Sequence, residues 1–131
     1  MAREARNMTV EKLLQEENRF AALCDNLITD HHQYADRKQV TVHNKAQTKL
    51  NRIADQQIAD PETAERFFSD LMAHESAKVR LHAAGYALAK GVCEAAALQI
   101  LRGFASGEDR GAAFDASMSL YVWEHKMNHK T

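Results

Sequence analysis

One stretch of the chain, His74–Lys90, restricts the fold more than any other. A set of its residues recurs at the spacing of one helix face: Val79, Ala83, Tyr86 and Ala87. Because most side chains on this face are small, a neighbouring helix can pack near the short end of the usual interaxial range of about 8–10 Å. The stretch therefore predicts two helices in close contact, with Ala83 buried between them.

Few residues elsewhere in the chain would interrupt a helix. The 131 residues include five glycines and one proline, and good helix formers are abundant among the others. A chain of this length buries roughly two-thirds of its unfolded surface and folds as one domain. We therefore predict a single all-α domain over residues 1–131, with about six helices in antiparallel pairs.

The first half of the chain predicts an irregular helix pair over residues 9–59. It divides in chain order into a polar arm over residues 1–8, a helix from Thr9 to Tyr34, a connector over Asp36–Val42 and a helix over His43–Ala59. The connector could pass for a strand, but no other segment could pair with it. Asp60 is then a good cap for a third helix that begins at Pro61.

The second half repeats itself with a period of about 33 residues, which is typical of helix-pair solenoids. In this alignment Ala83 falls on Ala116. The period predicts two repeat-like helix pairs, over residues 61–90 and 92–127. An antiparallel bundle would give similar matches, because apolar positions align readily between amphipathic helices, and this alternative stays open.

Three segments of the chain resemble a known family. They are Lys49–Asp55 (KLNRIAD), Val79–Leu88 (VRLHAAGYAL) and the Gly-x-x-x-Asp-Ala-x-Met-x-Leu pattern from Gly111 to Leu120. Their order and spacing resemble a small bacterial family catalogued as a domain of unknown function, number 2019, and the second segment resembles a HEAT-type repeat helix. The resemblance covers roughly residues 9–124. It implies a HEAT-like, right-handed superhelix with no assigned reaction.

Charge and targeting signals narrow the classes of partner. The chain has 17 Lys plus Arg against 18 Asp plus Glu, and its isoelectric point is about 6.6. Nucleic-acid binders usually have a clustered basic face, so nucleic acid is an unfavoured partner. No apolar run approaches the ~18 residues of a membrane span, and no signal-peptide core follows the charged N-terminus. We expect a soluble, cytoplasmic protein with reduced cysteines and no membrane contact.

No residue pattern predicts catalysis or a cofactor. The chain lacks the glycine motifs that bind phosphate and the nucleophile motifs of hydrolases. His125 and His129 have the spacing of two metal ligands on a helix, but two ligands do not make a site. Cys24 lies on an apolar helix stripe and Cys93 at a helix start beside Glu94, which favours structural roles for both. We expect no enzyme activity, no catalytic residue, no cofactor and no metal site.

Charged residues that follow two predicted turns indicate where a partner could bind. Arg80 and Asp115 each lie near the start of the second helix of a pair. One interpretation is structural, since an arginine at this place can brace the neighbouring repeat through carboxylates. The other is that successive second helices form an inner surface, which solenoids present to their partners. The candidate binding residues on this surface are Asn51, Arg80, His82, Tyr86, Asp115 and Ser119.

This pattern favours a non-enzymatic module that binds another protein. By analogy with other small helical-repeat proteins, such a module can be an immunity or antitoxin-like inhibitor of its partner. The alternative is a nucleic-acid-binding or base-processing protein that uses the inner surface, for which Lys45, Lys49 and Arg52 are the compact basic group. The sequence is also compatible with a homodimer.

Overall fold

The computed structural model of the protein describes the backbone of residues 2–129 and the side chains of residues 10–126 apart from residue 31. Within these residues there are six α-helices, one 3-10 helix and no strand. In chain order they are α1 (Ala2–Cys24), the 3-10 helix (His31–Ala35), α2 (Arg37–Ile58), α3 (Pro61–Met72), α4 (Ala77–Lys90), α5 (Glu94–Ala105) and α6 (Arg110–His129). The predicted all-α fold is confirmed.

The first predicted helix is wrong at both ends. α1 begins at Ala2, so the predicted polar arm over residues 1–8 and the predicted cap at Thr9 both lie within this helix. The reason is that the first residues, although polar, include strong helix formers. α1 then ends at Cys24 rather than at Tyr34.

The turn after α1 keeps a helical apolar spacing without being helical, which explains the second error. Leu27 and Ile28 are buried in this turn. The Lys78 ammonium donates a hydrogen bond to the carbonyl oxygen of Leu27 at 2.7 Å and holds the turn against α4. The Asp30 carboxylate then accepts from the backbone N–H of His32 at 3.0 Å and caps the 3-10 helix.

The predicted connector Asp36–Val42 is also wrong, because all but its first residue belongs to α2. The Asp36 carboxylate accepts hydrogen bonds from the backbone N–H groups of Lys38 at 2.9 Å and Gln39 at 3.4 Å. This cap starts the helix at Arg37. A good cap and the packing of α2 outweigh the weak strand preference of two valines and a threonine.

The second half of the chain begins as predicted. The Asp60 carboxylate accepts from the backbone N–H of Glu62 at 3.2 Å, and Pro61 occupies the first turn of α3. The predicted range 61–90 contains α3 and α4, and the range 92–127 contains α5 and most of α6. Connections of two to four residues join α2 to α6 in succession, and each helix packs against its neighbours in the chain. None of the helices in the described residues has the length and hydrophobicity that crossing a membrane requires.

An aromatic cluster joins α1, α3 and α4. Phe20 makes edge-to-face contacts with Phe67, at 5.7 Å between ring centroids, and with Tyr86, at 5.8 Å. Phe67 contacts Phe68 in the same manner at 5.1 Å. Such pairs contribute about 0.5–1.5 kcal/mol beyond the burial of their area. The cluster therefore fixes the orientation of α4 relative to the first helix.

α4 is the centre of the domain, since it contacts each of the other five α-helices. Ala83, Ala84 and Ala87 are completely buried, which confirms the predicted close contact at Ala83. Gly85 extends this surface of small residues, because a Cβ added there would lie 3.4 Å from the Ser119 hydroxyl oxygen of α6. The small residues of α4 thus allow α6 to lie directly beside it.

Candidate binding groove

A cavity of about 350 Å³ opens between α2, α4, α6 and the segment that joins α1 to α2. This volume is within the range of about 300–1,000 Å³ that is usual for ligand pockets. We call the cavity the central groove. It is lined by Leu27, Ile28, Tyr34, His43, Gln47, Asn51, Leu81, His82, Gly85, Tyr86, Ala89, Phe114, Asp115, Met118 and Ser119.

α2 contributes a row of polar side chains to the groove. His43, Gln47 and Asn51 are four residues apart and therefore lie on one face of the helix. His43 Nδ1 accepts a hydrogen bond from the backbone N–H of Ile28 at 2.9 Å, which places the proton of the neutral ring on Nε2. The ring also meets Tyr34 edge to face at 5.8 Å. His43 thus attaches α2 to both parts of the segment that precedes it.

α4 contributes His82, whose imidazole is neutral at pH 7. Burial lowers the pKa of His82 to about 4, and the nearby Lys78 and His43 lower it further. The Nε2 atom is buried and has no hydrogen-bond partner among the described residues. A buried polar atom without a partner costs about 1–3 kcal/mol. His82 therefore presents an unused hydrogen-bonding position in the lining of the groove.

α6 brings Asp115 and Ser119 to the groove. The first turn of this helix lies against the turn after α1, since a Cβ added to Gly111 would be 2.0 Å from the carbonyl oxygen of Thr29. Asp115 follows Gly111 by four residues and lies on the same face of the helix. The charge of Asp115 also reaches His43, whose pKa it raises against the stronger lowering by burial. The absence of a side chain at Gly111 thus places a carboxylate opposite α2.

Five of the six predicted binding residues line the groove: Asn51, His82, Tyr86, Asp115 and Ser119. Arg80 does not, because its Nη1 donates to the carbonyl oxygens of His74 at 2.7 Å and Glu75 at 2.9 Å, in the turn before α4. Arg80 precedes His82 by two positions, about 200° around the helix, so the two side chains leave different faces. Both interpretations of Arg80 are therefore wrong: its hydrogen bonds brace its own turn rather than carboxylates of a neighbouring pair.

Sequence reasoning missed several lining residues. His43 and Gln47 share the face of Asn51, and that row would have been visible had α2 been started at Arg37. Phe114 and Met118 have the spacing of one helix face, but such residues usually indicate a buried core. No comparable signal exists for residues of the turn after α1, because their position depends on contacts with α4 and α6.

Large apolar side chains at the edge of the groove are exposed. Tyr34 and Phe114 each have 50% of their surface in solvent, and Met118 has 46%. We call these three residues the apolar rim. Tyr121 and Val122, at 63% and 58% exposed, continue the exposed apolar surface along α6. Contiguous exposed apolar residues beside a cavity indicate an interaction surface.

The predicted basic group lies elsewhere. Lys45, Lys49 and Arg52 border a separate shallow depression on α2 and do not line the groove. Lys45 follows His43 by two positions, which turns it to the far side of the helix. The cations and the groove therefore lie on different faces of α2.

The cysteines and histidines offer no second site in the described residues. Cys24 and Cys93 are free thiols, and burial raises the pKa of Cys24 to about 12, as expected for the predicted core residue. Burial and the charge of Glu65 raise the pKa of Cys93, which disfavours its thiolate. His125 stacks on Tyr121, with 6.0 Å between the ring centroids; the side chain of His129, the other predicted ligand, lies outside the described residues. No group of three or more metal-ligating side chains occurs in this part of the chain.

One carboxyl group outside the groove has an unusual pKa. Burial raises the pKa of Glu17 in α1 to about 8. A hydrogen bond with Asp70 in α3 and the charge of that residue act in the same direction, whereas Arg66 opposes them. Since α1 and α3 are packed together, this carboxyl pair is part of the contact between the two helices.

The fold and the groove define a small all-helical domain with a concave candidate site built from four segments. The chain belongs to the family described as a domain of unknown function (DUF2019), whose family model matches residues 18–123. The predicted family is thereby confirmed. Comparisons with curated proteins and with solved structures gave no match. The three segments that carry the family resemblance meet at the groove, through Asn51, His82 and Asp115.

Proposed function

We propose that this protein is a non-enzymatic module that binds another protein through the central groove. The observation that carries the proposal is the apolar rim, in which Tyr34, Phe114 and Met118 border a cavity and keep about half of their surface in solvent. Aromatic residues and methionine are enriched at protein interfaces. A partner that covered the rim would remove this surface from water and would fill the cavity beside it.

The distribution of charge favours a protein over a nucleic acid as the partner. Binding driven by phosphates needs cations that face the ligand. The groove contains the Asp115 carboxylate, whereas the basic group formed by Lys45, Lys49 and Arg52 borders a different surface. A nucleic acid seated in the groove would bring its phosphates towards a carboxylate.

Two finer expectations form part of this proposal. In a HEAT-like stack the second helices of successive pairs form the inner surface, and α4 and α6 hold those positions here and both line the groove. An immunity or antitoxin-like role would follow if the partner were an enzyme whose active site the groove covers. Addition of the purified protein to an activity assay of that partner tests this role, and unchanged activity at saturating binding would contradict it.

The proposal is tested by capture from a native lysate with three forms of the purified chain. Met118→Glu places a charge on the apolar rim. Leu14→Glu is the control, because Leu14 is 56% exposed on α1 and does not line the groove. We expect the parent and the control to retain the same partner and Met118→Glu to lose it, as measured by quantitative mass spectrometry. A partner that Met118→Glu retains, or the capture of none, would contradict binding through the groove.

A second copy of the chain is another occupant to be tested. Light scattering measures the mass of the purified protein in solution. A dimer in the parent and in Leu14→Glu that dissociates in Met118→Glu would identify the partner as another copy of this chain. A monomer at all concentrations leaves the partner as a different protein.

A further inference from the structure

The charge of the central groove narrows the chemistry of its partner. Asp115 is the only side chain with a formal charge at pH 7 among the described residues that line the groove. The two histidines of the lining are neutral, because burial lowers the pKa of each. Lys78 affects both histidines, but its ammonium donates to the carbonyl oxygens of Asp25 at 3.3 Å and Leu27 at 2.7 Å, at the end of α1. The groove therefore favours a positively charged group.

The aromatic residues of the rim favour a flat cation. Tyr34 and Phe114 line both the central groove and an adjoining cavity of about 220 Å³, and Asp115 borders both cavities as well. Aromatic rings attract cations to their faces, and the planar guanidinium of arginine stacks on them better than an ammonium does. A carboxylate can also accept two parallel hydrogen bonds from one guanidinium.

His82 adds a position for one more hydrogen bond. Its buried Nε2 has no partner in the described part of the chain, and a neutral imidazole accepts at Nε2 when its proton is on Nδ1. A guanidinium carries five N–H donors in a fixed plane, enough for a carboxylate and an imidazole together. An ammonium has three donors on a single nitrogen and cannot stack as it makes these bonds.

We propose that the partner protein anchors in the central groove through an arginine side chain, whose guanidinium stacks on Tyr34 and Phe114 and pairs with Asp115. The same guanidinium donates a hydrogen bond to His82 Nε2. This inference rests on the proposed function and specifies the chemistry of the partner. The apolar stem of the arginine covers the rim while its charged end enters the groove.

The test measures whether the full chain binds an isolated arginine side chain. The ¹⁵N-labelled protein is titrated with Nα-acetyl-arginine amide and with Nα-acetyl-citrulline amide, which has nearly the same shape without the charge, and the backbone amide signals are followed by NMR. We expect the arginine probe to shift the signals of groove residues and to bind at least ten-fold more tightly than the citrulline probe. Nα-acetyl-lysine amide should bind more weakly than arginine. Equal binding of arginine and citrulline, or no binding at all, overturns the proposal.

Variants locate the binding site. Asp115→Asn should lower the affinity for the arginine probe at least ten-fold, whereas Glu108→Gln should retain the affinity of the parent. Glu108 is the matched control because it is an exposed acidic residue in the loop before α6 and does not line the groove. Phe114→Ala provides a second variant if Asp115→Asn does not fold, and it should weaken binding several-fold. Folded variants at both positions that bind like the parent would overturn the proposal.

A last comparison separates this inference from the proposed function. If the arginine probe fails while Met118→Glu still loses the captured partner, the groove binds a protein by other chemistry and only the arginine inference is overturned. Agmatine carries the same guanidinium as a free small molecule. Tighter binding of agmatine than of the capped arginine would overturn the assignment to a protein side chain.

Discussion

Two glycines should respond in opposite ways to the same substitution by alanine. Gly111 lies in the first turn of α6 and Gly103 in α5. A Cβ added at Gly111 would lie 2.0 Å from the carbonyl oxygen of Thr29, whereas at Gly103 it would meet no atom within 4 Å. Ordinary contact begins near 3.4 Å, so Gly111→Ala must separate α6 from the turn after α1 by roughly 1.4 Å.

The magnitudes follow from two opposing effects. Alanine in place of glycine at an unstrained helical position stabilises the folded state by about 0.4–1 kcal/mol, because the unfolded chain loses conformational freedom. Gly103→Ala gains this stabilisation alone. At Gly111 the contact with a backbone atom adds an overpacking cost of about 1–3 kcal/mol. We therefore expect Gly111→Ala to be less stable than the parent by about 1–2 kcal/mol.

Thermal unfolding followed by circular dichroism measures both changes. A change of 1 kcal/mol shifts the Tm of a domain of this size by about 3–5 °C. Gly103→Ala should melt a few degrees above the parent, and Gly111→Ala should melt below it by about 3–10 °C. If Gly111→Ala melts at or above the temperature of Gly103→Ala, α6 does not lie against Thr29 as described, and the position of Asp115 in the groove must be revised.

Two further substitutions test the helix contacts. Ala83→Leu should lower the stability by about 1–3 kcal/mol in thermal melts, because Ala83 is completely buried on α4; Ala77→Leu on the exposed start of that helix is the control, and equal melts of the two variants would refute the close packing. Glu17→Gln tests the raised pKa of Glu17: the folded protein binds this proton up to about pH 8, the unfolded chain only up to about pH 4.5, so the stabilisation is fully present below pH 4.5 and is lost as pH rises to 8. Urea unfolding at pH 5, 7 and 9 should therefore show Glu17→Gln gaining stability relative to the parent as pH rises, and a difference independent of pH would contradict the assignment.

The fold class could be predicted because it depends on local properties. Few helix breakers, good helix formers and a regular apolar spacing act over distances of one or two turns, and Asp60 with Pro61 begins α3 as predicted. The errors occurred where contacts distant in the chain decide the local structure. The turn that contains Leu27 keeps a helical spacing, but an ammonium from α4 holds it in another conformation.

The candidate site could be predicted only in part, for a related reason. His82 and Tyr86 of α4 and Asp115 and Ser119 of α6 could be chosen because the two helices hold equivalent places in the apparent repeat. Arg80 was chosen on the same ground, but its side chain binds the turn before α4. The start of α2 was misjudged, which hid the side of the groove that His43 contributes.

The sequence by itself determines that this chain forms helices, where several of them begin, and that α4 must be packed closely by its neighbours. These properties follow from propensity, capping and spacing, which each residue carries into any fold. Only the tertiary structure decides that a carboxylate and a buried imidazole nitrogen share one groove with three exposed apolar side chains. That arrangement depends on how far α6 can approach the turn after α1, and the missing side chain at Gly111 allows an approach that no periodic pattern records.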